Sequence, residues 1–177
     1  MKQVLFLFGE LNDQDVDWMM AQGTKQEVPQ GGFLVREGQP VSALYIILNG
    51  LFNVTVQAHG DAEIRRMAGG EVVGEISFVE SVNASATVKA LVKSVVLALP
   101  RPVVVARLVR DSGFAARFYR ALGVVLSYRL RTLNRWYEGA PDAGEDPRAQ
   151  LDEGVLGNIH LAGARFERMA KRLLAHA

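Results

Sequence analysis

The sequence predicts an α+β fold: a block of short antiparallel strands arranged as a sandwich, roll or barrel, with a helix before it and helices after it. Three features predict this. Between Thr24 and Pro100, short apolar runs rich in Val, Ile, Phe and Thr alternate with glycine-bearing turns, the texture of regularly spaced strands. Ahead of that block, "LNDQDVDWMMAQG" carries the marks of a capped helix. Behind it, from Pro102 to Tyr137, apolar residues recur at steps of three and four, the period of one helix face.

Taken in order, the first helix is expected to start at Asn12 as its N-cap. Asp13 and Asp15 place carboxylates in its first turn, where they favour the helix dipole, and Gly23 closes it. The run "VLFLF" that precedes it is too short for a signal-peptide core, and no small-residue cleavage site follows. In the strand block, Gly31-Gly32, Gly38, Gly50, Gly60 and Gly69-Gly70 separate segments of strand length. Asn49-Gly50 and the "HGD" at residues 59–61 suit hairpin turns. Residues 75–80, "EISFVE", break the pattern with a single helical turn. "RPVVVARLVRD" gives a short helix, and "DSGFAARFYRALGVVLSYRLRTLNRWY" a long one with Ser112 as its cap. An apolar stripe of Phe118, Leu122, Leu126, Leu130, Leu133 and Trp136 runs along the long helix. Its arginines, Arg117, Arg120, Arg129, Arg131 and Arg135, read as a solvated face beside that stripe. "EGAPDAGEDPRAQLDEG" is an acidic Gly/Pro linker, and the last stretch holds one short amphipathic helix with Phe166, Met169, Ala170 and Leu173 on one side.

Composition narrows the function. A chain of 177 residues suits one domain with an appendage and can bury a full core. It has no cysteine, which excludes disulfides, thiolate metal sites and cysteine nucleophiles. A formal net charge of +1 argues against a globally basic nucleic-acid binder. No stretch has the roughly 18 apolar residues of a membrane span, and a cytoplasmic soluble protein is expected. His59, His160 and His176 lack ligand spacing, so no metal or resident cofactor is expected. Ser77 and Ser85 have no His-Asp partner in view, and no enzyme is expected.

In this order the segments "GGFLVREGQP", "LYIILNG", "GGEVVGEISF" and "SATVKAL" resemble the cyclic nucleotide-binding domain family. The likeness covers about residues 8–137 and narrows the fold to an antiparallel β-roll, a jelly-roll-like double-stranded β-helix. With the linker and tail read above, three parts are expected: the domain with its long helix at 8–137, the acidic linker at 138–154 and a helical tail at 155–177.

The resemblance also implies a phosphate-binding cassette. Gly74 would admit close backbone approach, and Glu75 would accept a hydrogen bond from a ribose 2′-hydroxyl. The backbone N–H groups of Ile76 and Ser77 would face a cyclic phosphate, with donors added by Ser85, Ala86 and Thr87. A base would be capped by the long helix near Thr132, Leu133 or Asn134. One position departs from the family: its arginine falls on Ala84. A charge-assisted contact of this kind is worth about 1.5–3 kcal/mol, roughly ten- to a hundredfold in affinity. Substitute cations would come from Lys89, Arg65 or Arg66, or from Arg165, Arg168, Lys171 or Arg172 if the tail covers the pocket.

Two functions fit this pattern. One is a regulatory sensor that binds cAMP, cGMP or a related phosphate ligand and signals through its C-terminal helices. The other is a degenerate form of the fold that serves as a dimerising protein-interaction module. In both, a homodimer through the long helix is expected, with the tail free for a protein partner. Direct DNA binding is not expected, because the tail offers one helix where a helix-turn-helix needs two.

Overall fold

The computed structural model describes residues 3–60, 62–80, 82–137 and 153–175. Two helices lead, α1 (Val4–Glu10) and α2 (Asp13–Gln22). Strands β1 (Thr24–Val28), β2 (Phe33–Val35), β3 (Ala43–Asn49), β4 (Leu51–Thr55), β5 (Glu63–Ala68) and β6 (Val72–Val73) follow. Helix α3 (Ile76–Glu80) interrupts them before β7 (Thr87–Ala90) and β8 (Ser94–Pro100). The chain then enters α4 (Arg101–Arg110), α5 (Ser112–Tyr137) and α6 (Glu153–Leu174). The strands form two antiparallel four-stranded sheets, ordered β1-β8-β3-β6 and β2-β7-β4-β5. This is the β-roll with flanking helices that the sequence predicts.

Strand β3 explains how roll and helices share one wall. Its run "ALYIIL" is buried throughout. Ala43, Tyr45 and Ile47 point between the two sheets, where they meet Phe52, Val54 and Val96. Leu44, Ile46 and Leu48 point to the opposite face and pack under the helices with Leu97, Leu99, Phe114 and Phe118. A strand covered on both faces reads as a continuous apolar run instead of an alternating one.

Several local expectations hold and others are corrected. Asn12 caps α2 in a reciprocal box: its side chain accepts from the Asp15 N–H at 2.9 Å, and Asp15 accepts from the Asn12 N–H at 3.2 Å. The "HGD" turn does join the paired strands β4 and β5. Asn49-Gly50 does not make a hairpin, because β3 and β4 lie in different sheets. Gly50 carries the crossover at φ +114°, and a Cβ there would sit 2.0 Å from the Ser94 hydroxyl. Asp111, not Ser112, caps α5, its carboxylate accepting from the Phe114 N–H at 2.8 Å. That backbone hydrogen bond, more than the nearby arginines, holds Asp111 below the usual carboxylate range.

The apolar stripe of α5 is also different from the expected one. Phe114, Phe118, Ala121, Leu122 and Val125 are buried, whereas Leu130 is 61% exposed. Steps of four residues advance roughly 40° beyond a full turn each time, so a stripe read as 118-122-126-130 winds off the core. The side chains of Leu133 and Trp136 lie outside the described residues, as does most of the expected linker, 138–152. The apolar N-terminal run forms α1, whose Val4, Phe6, Leu7 and Phe8 are buried, and the expected domain start at residue 8 falls inside it. Helix α6 is longer than the short tail helix expected and docks Ala162, Phe166 and Met169 into the same core as α1 and α2. Among the described residues, no helix is long and apolar enough to cross a membrane.

Candidate functional site

A cavity of about 830 Å³ opens between the cassette segment, strand β5 and helix α5. The short strand β6 pairs with β3, Tyr45 opposite Val73, and delivers the chain to Gly74 at its rim. Gly74 has φ +93°, and a Cβ there would lie 2.7 Å from the Ala43 carbonyl oxygen. The glycine is thus required by the packing of the roll itself. Its carbonyl accepts from the Ser77 hydroxyl at 2.7 Å, which ties the first turn of α3. Phe78 of α3 stacks edge-on against Phe118 of α5, ring centroids 5.8 Å apart. The cassette therefore rests directly on the long helix.

Of the residues singled out in the sequence, Gly74, Glu75, Ile76, Ser77, Ala84, Ser85 and Ala86 all line the cavity. Thr87 is not among the lining residues, and its hydroxyl accepts from the Glu37 N–H at 3.0 Å. Thr132 lines the opposite wall and donates to the Tyr128 carbonyl at 2.9 Å. The side chains of Leu133 and Asn134 lie outside the described residues. Apolar walls come from Val35, Val54, Met67, Val73 and Val88.

The cation paired with the cassette glutamate comes from α5. Arg129 pairs with Glu75, which is only 2% exposed, through Nη1. Its Nη2 donates to Gln3 Oε1 at 2.8 Å and to the Val72 carbonyl at 2.6 Å. Gln3 Oε1 also accepts from the Val72 N–H at 3.3 Å, so the start of α1 helps to hold the arginine. Burial lowers the Arg129 pKa, with Arg65 adding like-charge repulsion and Glu75 opposing both. Its Nε is buried without a hydrogen-bond partner among the described residues.

The sequence reading puts Arg129 on a solvated face and gives no role to Gln3; the structure places both at the cassette. One signal could have found the arginine. Arg129 lies four residues beyond Val125, in line with Phe118 and Leu122, so it occupies the core side of the helix. No such signal exists for Gln3. Among the described side chains of α5, Arg117 pairs with Asp15, Arg120 with Glu10, and Arg131 donates to the Ser127 hydroxyl. Of the expected substitute cations, Arg65 and Arg66 line the cavity and Lys89 does not. Lys89 stands 5.4 Å from the Phe33 ring centroid. Among the described residues, none of the tail helix lines the cavity: Arg165 donates to Asp13 and to the Phe8 and Leu11 carbonyls, and Arg168 to Asp17.

Residues 25–111 match the family model described as cyclic nucleotide-binding domain. A chain from Rhodopseudomonas palustris named "Putative potassium channel protein RPA4233" is 27% identical over 111 residues, 63% of this chain and 27% of its own length. The match thus spans little more than a quarter of that relative. Among solved structures, a cyclic nucleotide-binding domain from Methylobacillus flagellatus aligns with TM-score 0.66 at 20% identity, over 73% of this chain and 78% of its own. The regulatory subunit of a cAMP-independent protein kinase A from Trypanosoma brucei aligns with TM-score 0.60 at 19% identity, over 76% of this chain and 45% of its own. Residues 25–111 are thus similar to the cyclic nucleotide-binding domain family, and the roll that houses this cavity has the fold of both solved structures.

Proposed function

We propose that this protein is a regulatory sensor. A small ligand of nucleotide size sits between the cassette and α5 and signals through the C-terminal helices, with cAMP and cGMP the first candidates by kinship. One observation carries this reading: Glu75 of the cassette and Tyr128, Arg129 and Thr132 of α5 line the same cavity. An occupant seated against this wall touches the Arg129–Glu75 pair, and so biases how α5 is held. A cavity of about 830 Å³ that combines apolar walls with polar groups is of the size of small-molecule sites. Signalling follows if the ligand binds one arrangement of α5 better than another.

The test is isothermal titration with cAMP, cGMP, adenosine and guanosine, on the wild type and on a cavity-filling Ala86→Trp variant. Saturable heat from any of the four in wild type, absent in a folded variant, supports the sensor. Slower amide exchange in α5 on binding would place the signal in the helix. No saturable binding by any of them at millimolar concentration would remove it.

A second reading is favoured by Ala84 and by a Glu75 that is already paired: the roll serves as a dimerising interaction module. Leu130 and Tyr119 of α5 are 61% and 47% exposed and offer apolar surface for a second copy. Sedimentation that shows only monomer at micromolar concentration would end this reading.

A further inference from the structure

We infer that the cavity is built for an uncharged ligand, a nucleoside-like molecule instead of a cyclic phosphate. This rests on the sensor reading and names its ligand class.

The lining residues include six charged side chains, three arginines and three glutamates. They are matched one to one. Arg65 pairs with Glu71 at 3.1 Å, Arg66 with Glu63 at 2.7 Å, and Arg129 with Glu75. The described lining therefore carries no net charge, and a cyclic phosphate would leave the filled site with one uncompensated negative charge. The Arg66–Glu63 pair is at the solvent-exposed rim and is screened. The buried pair decides the matter. If Arg129 turned from Glu75 to a phosphate, it would strand a carboxylate that is 2% exposed, and an unpaired buried charge is among the most costly groups in a protein.

Among the described residues, other cations do not make up the difference. Arg36 stacks on the Phe33 ring at 3.5 Å, and Arg101, which donates to the Ser77 carbonyl, does not line the cavity. Two cassette hydroxyls are engaged elsewhere: Ser77 donates to the Gly74 carbonyl, and Thr87, which accepts from the Glu37 N–H, does not line the cavity. Helix α3 has only five residues, which gives its N-terminus little dipole. What the site offers suits a neutral guest. The buried, unpartnered Nε of Arg129 fits a carbonyl or hydroxyl acceptor. The valine and methionine walls fit a flat apolar ring.

The experiment compares adenosine with cAMP and guanosine with cGMP by titration calorimetry, on wild type, Ala84→Arg and Ala84→Gln. In wild type, a nucleoside is expected to bind at least about tenfold more tightly than its cyclic monophosphate, the scale of one charge-assisted contact. Its affinity should hardly change with salt. Ala84→Arg should reverse the order by tightening the cyclic phosphate, and Ala84→Gln, which adds length without charge, should not. If wild type binds cAMP or cGMP as tightly as the nucleoside, the sensor stands and this inference alone is overturned. If wild type binds none of the four, the sensor reading falls and this inference with it.

Discussion

Asp15 and Glu75 are both buried carboxylates that receive an arginine from α5, yet they sit in different kinds of place. Asp15 is enclosed where α2, α4 and α5 meet. It takes Arg107 at 2.7 Å and Arg117 at 2.7 and 3.2 Å, and closes the cap of α2. Arg107 is itself sandwiched, its guanidinium carbon 4.0 Å from the Phe114 ring centroid and 4.5 Å from that of Trp18. Glu75 meets Arg129 on the wall of the cavity. The two arginines respond in opposite ways. Arg117 has its pKa raised, chiefly by its hydrogen bond to Asp15. Arg129 has its pKa lowered, chiefly by burial. One helix thus uses an arginine to lock the scaffold at its start, and another further along, held in a less favourable setting, where a ligand can reach it.

The comparison breaks most plainly on stability. Asp15→Asn removes a carboxylate that serves two guanidinium groups and a helix cap, and loss of one partner of a buried ion pair costs about 3–5 kcal/mol. For a chain of this size that lowers Tm by roughly 10 °C. Glu75→Gln should cost less, about 1–3 kcal/mol, because the amide oxygen still accepts from Arg129 and the cavity admits water. Thermal unfolding of the two variants side by side checks the order. A larger loss for Glu75→Gln would mean that the cavity pair, not the Asp15 cluster, is the lock.

Much of this was legible in the sequence, and the failures share a cause. The strand block, the single turn at "EISFVE" and the cap at Asn12 follow from local signals, namely turn glycines, periodicity and a capping side chain, whereas residues 74–77 and 84–86 come from the family resemblance. The misreadings concern tertiary partners. "NG" favours a tight turn, but nothing local says that the next strand joins the other sheet. Arg129 looked solvated because the acid that neutralises it, Glu75, is 54 residues away in the chain. The five apolar residues of "VLFLF" are buried on all sides but for Leu5, which is partly buried, and a segment without a polar face shows no helical period.

The smallest effect belongs to the tail, and it sharpens the contrast between lock and reporter. Arg165 is 7% exposed and holds α6 to α1 and α2 by three contacts, to Asp13 and to the Phe8 and Leu11 carbonyls at the C-terminal end of α1. Arg165 lowers the Asp13 pKa, first through the hydrogen bond and then through its charge. A carboxylate depressed in the folded state adds stability that is fully present above its unfolded pKa of about 3.9 and is lost as pH falls through the folded value. Helix α6 should therefore stay docked from neutral pH down to roughly pH 4 and loosen below it. Asp13 is at the surface, so the step is small. Far-UV circular dichroism between pH 6 and pH 2 would show it as a loss of helical signal in wild type, with no matching step in Asp13→Asn. Asp111, also held low, titrates in the same range at the cap of α5, which is why the variant and not the wild-type curve alone isolates the tail. If Asp13→Asn keeps the full acid step, α6 is held by Ala162, Phe166 and Met169 alone, and the arginine at its centre is a cap for α1 instead of a latch for the tail.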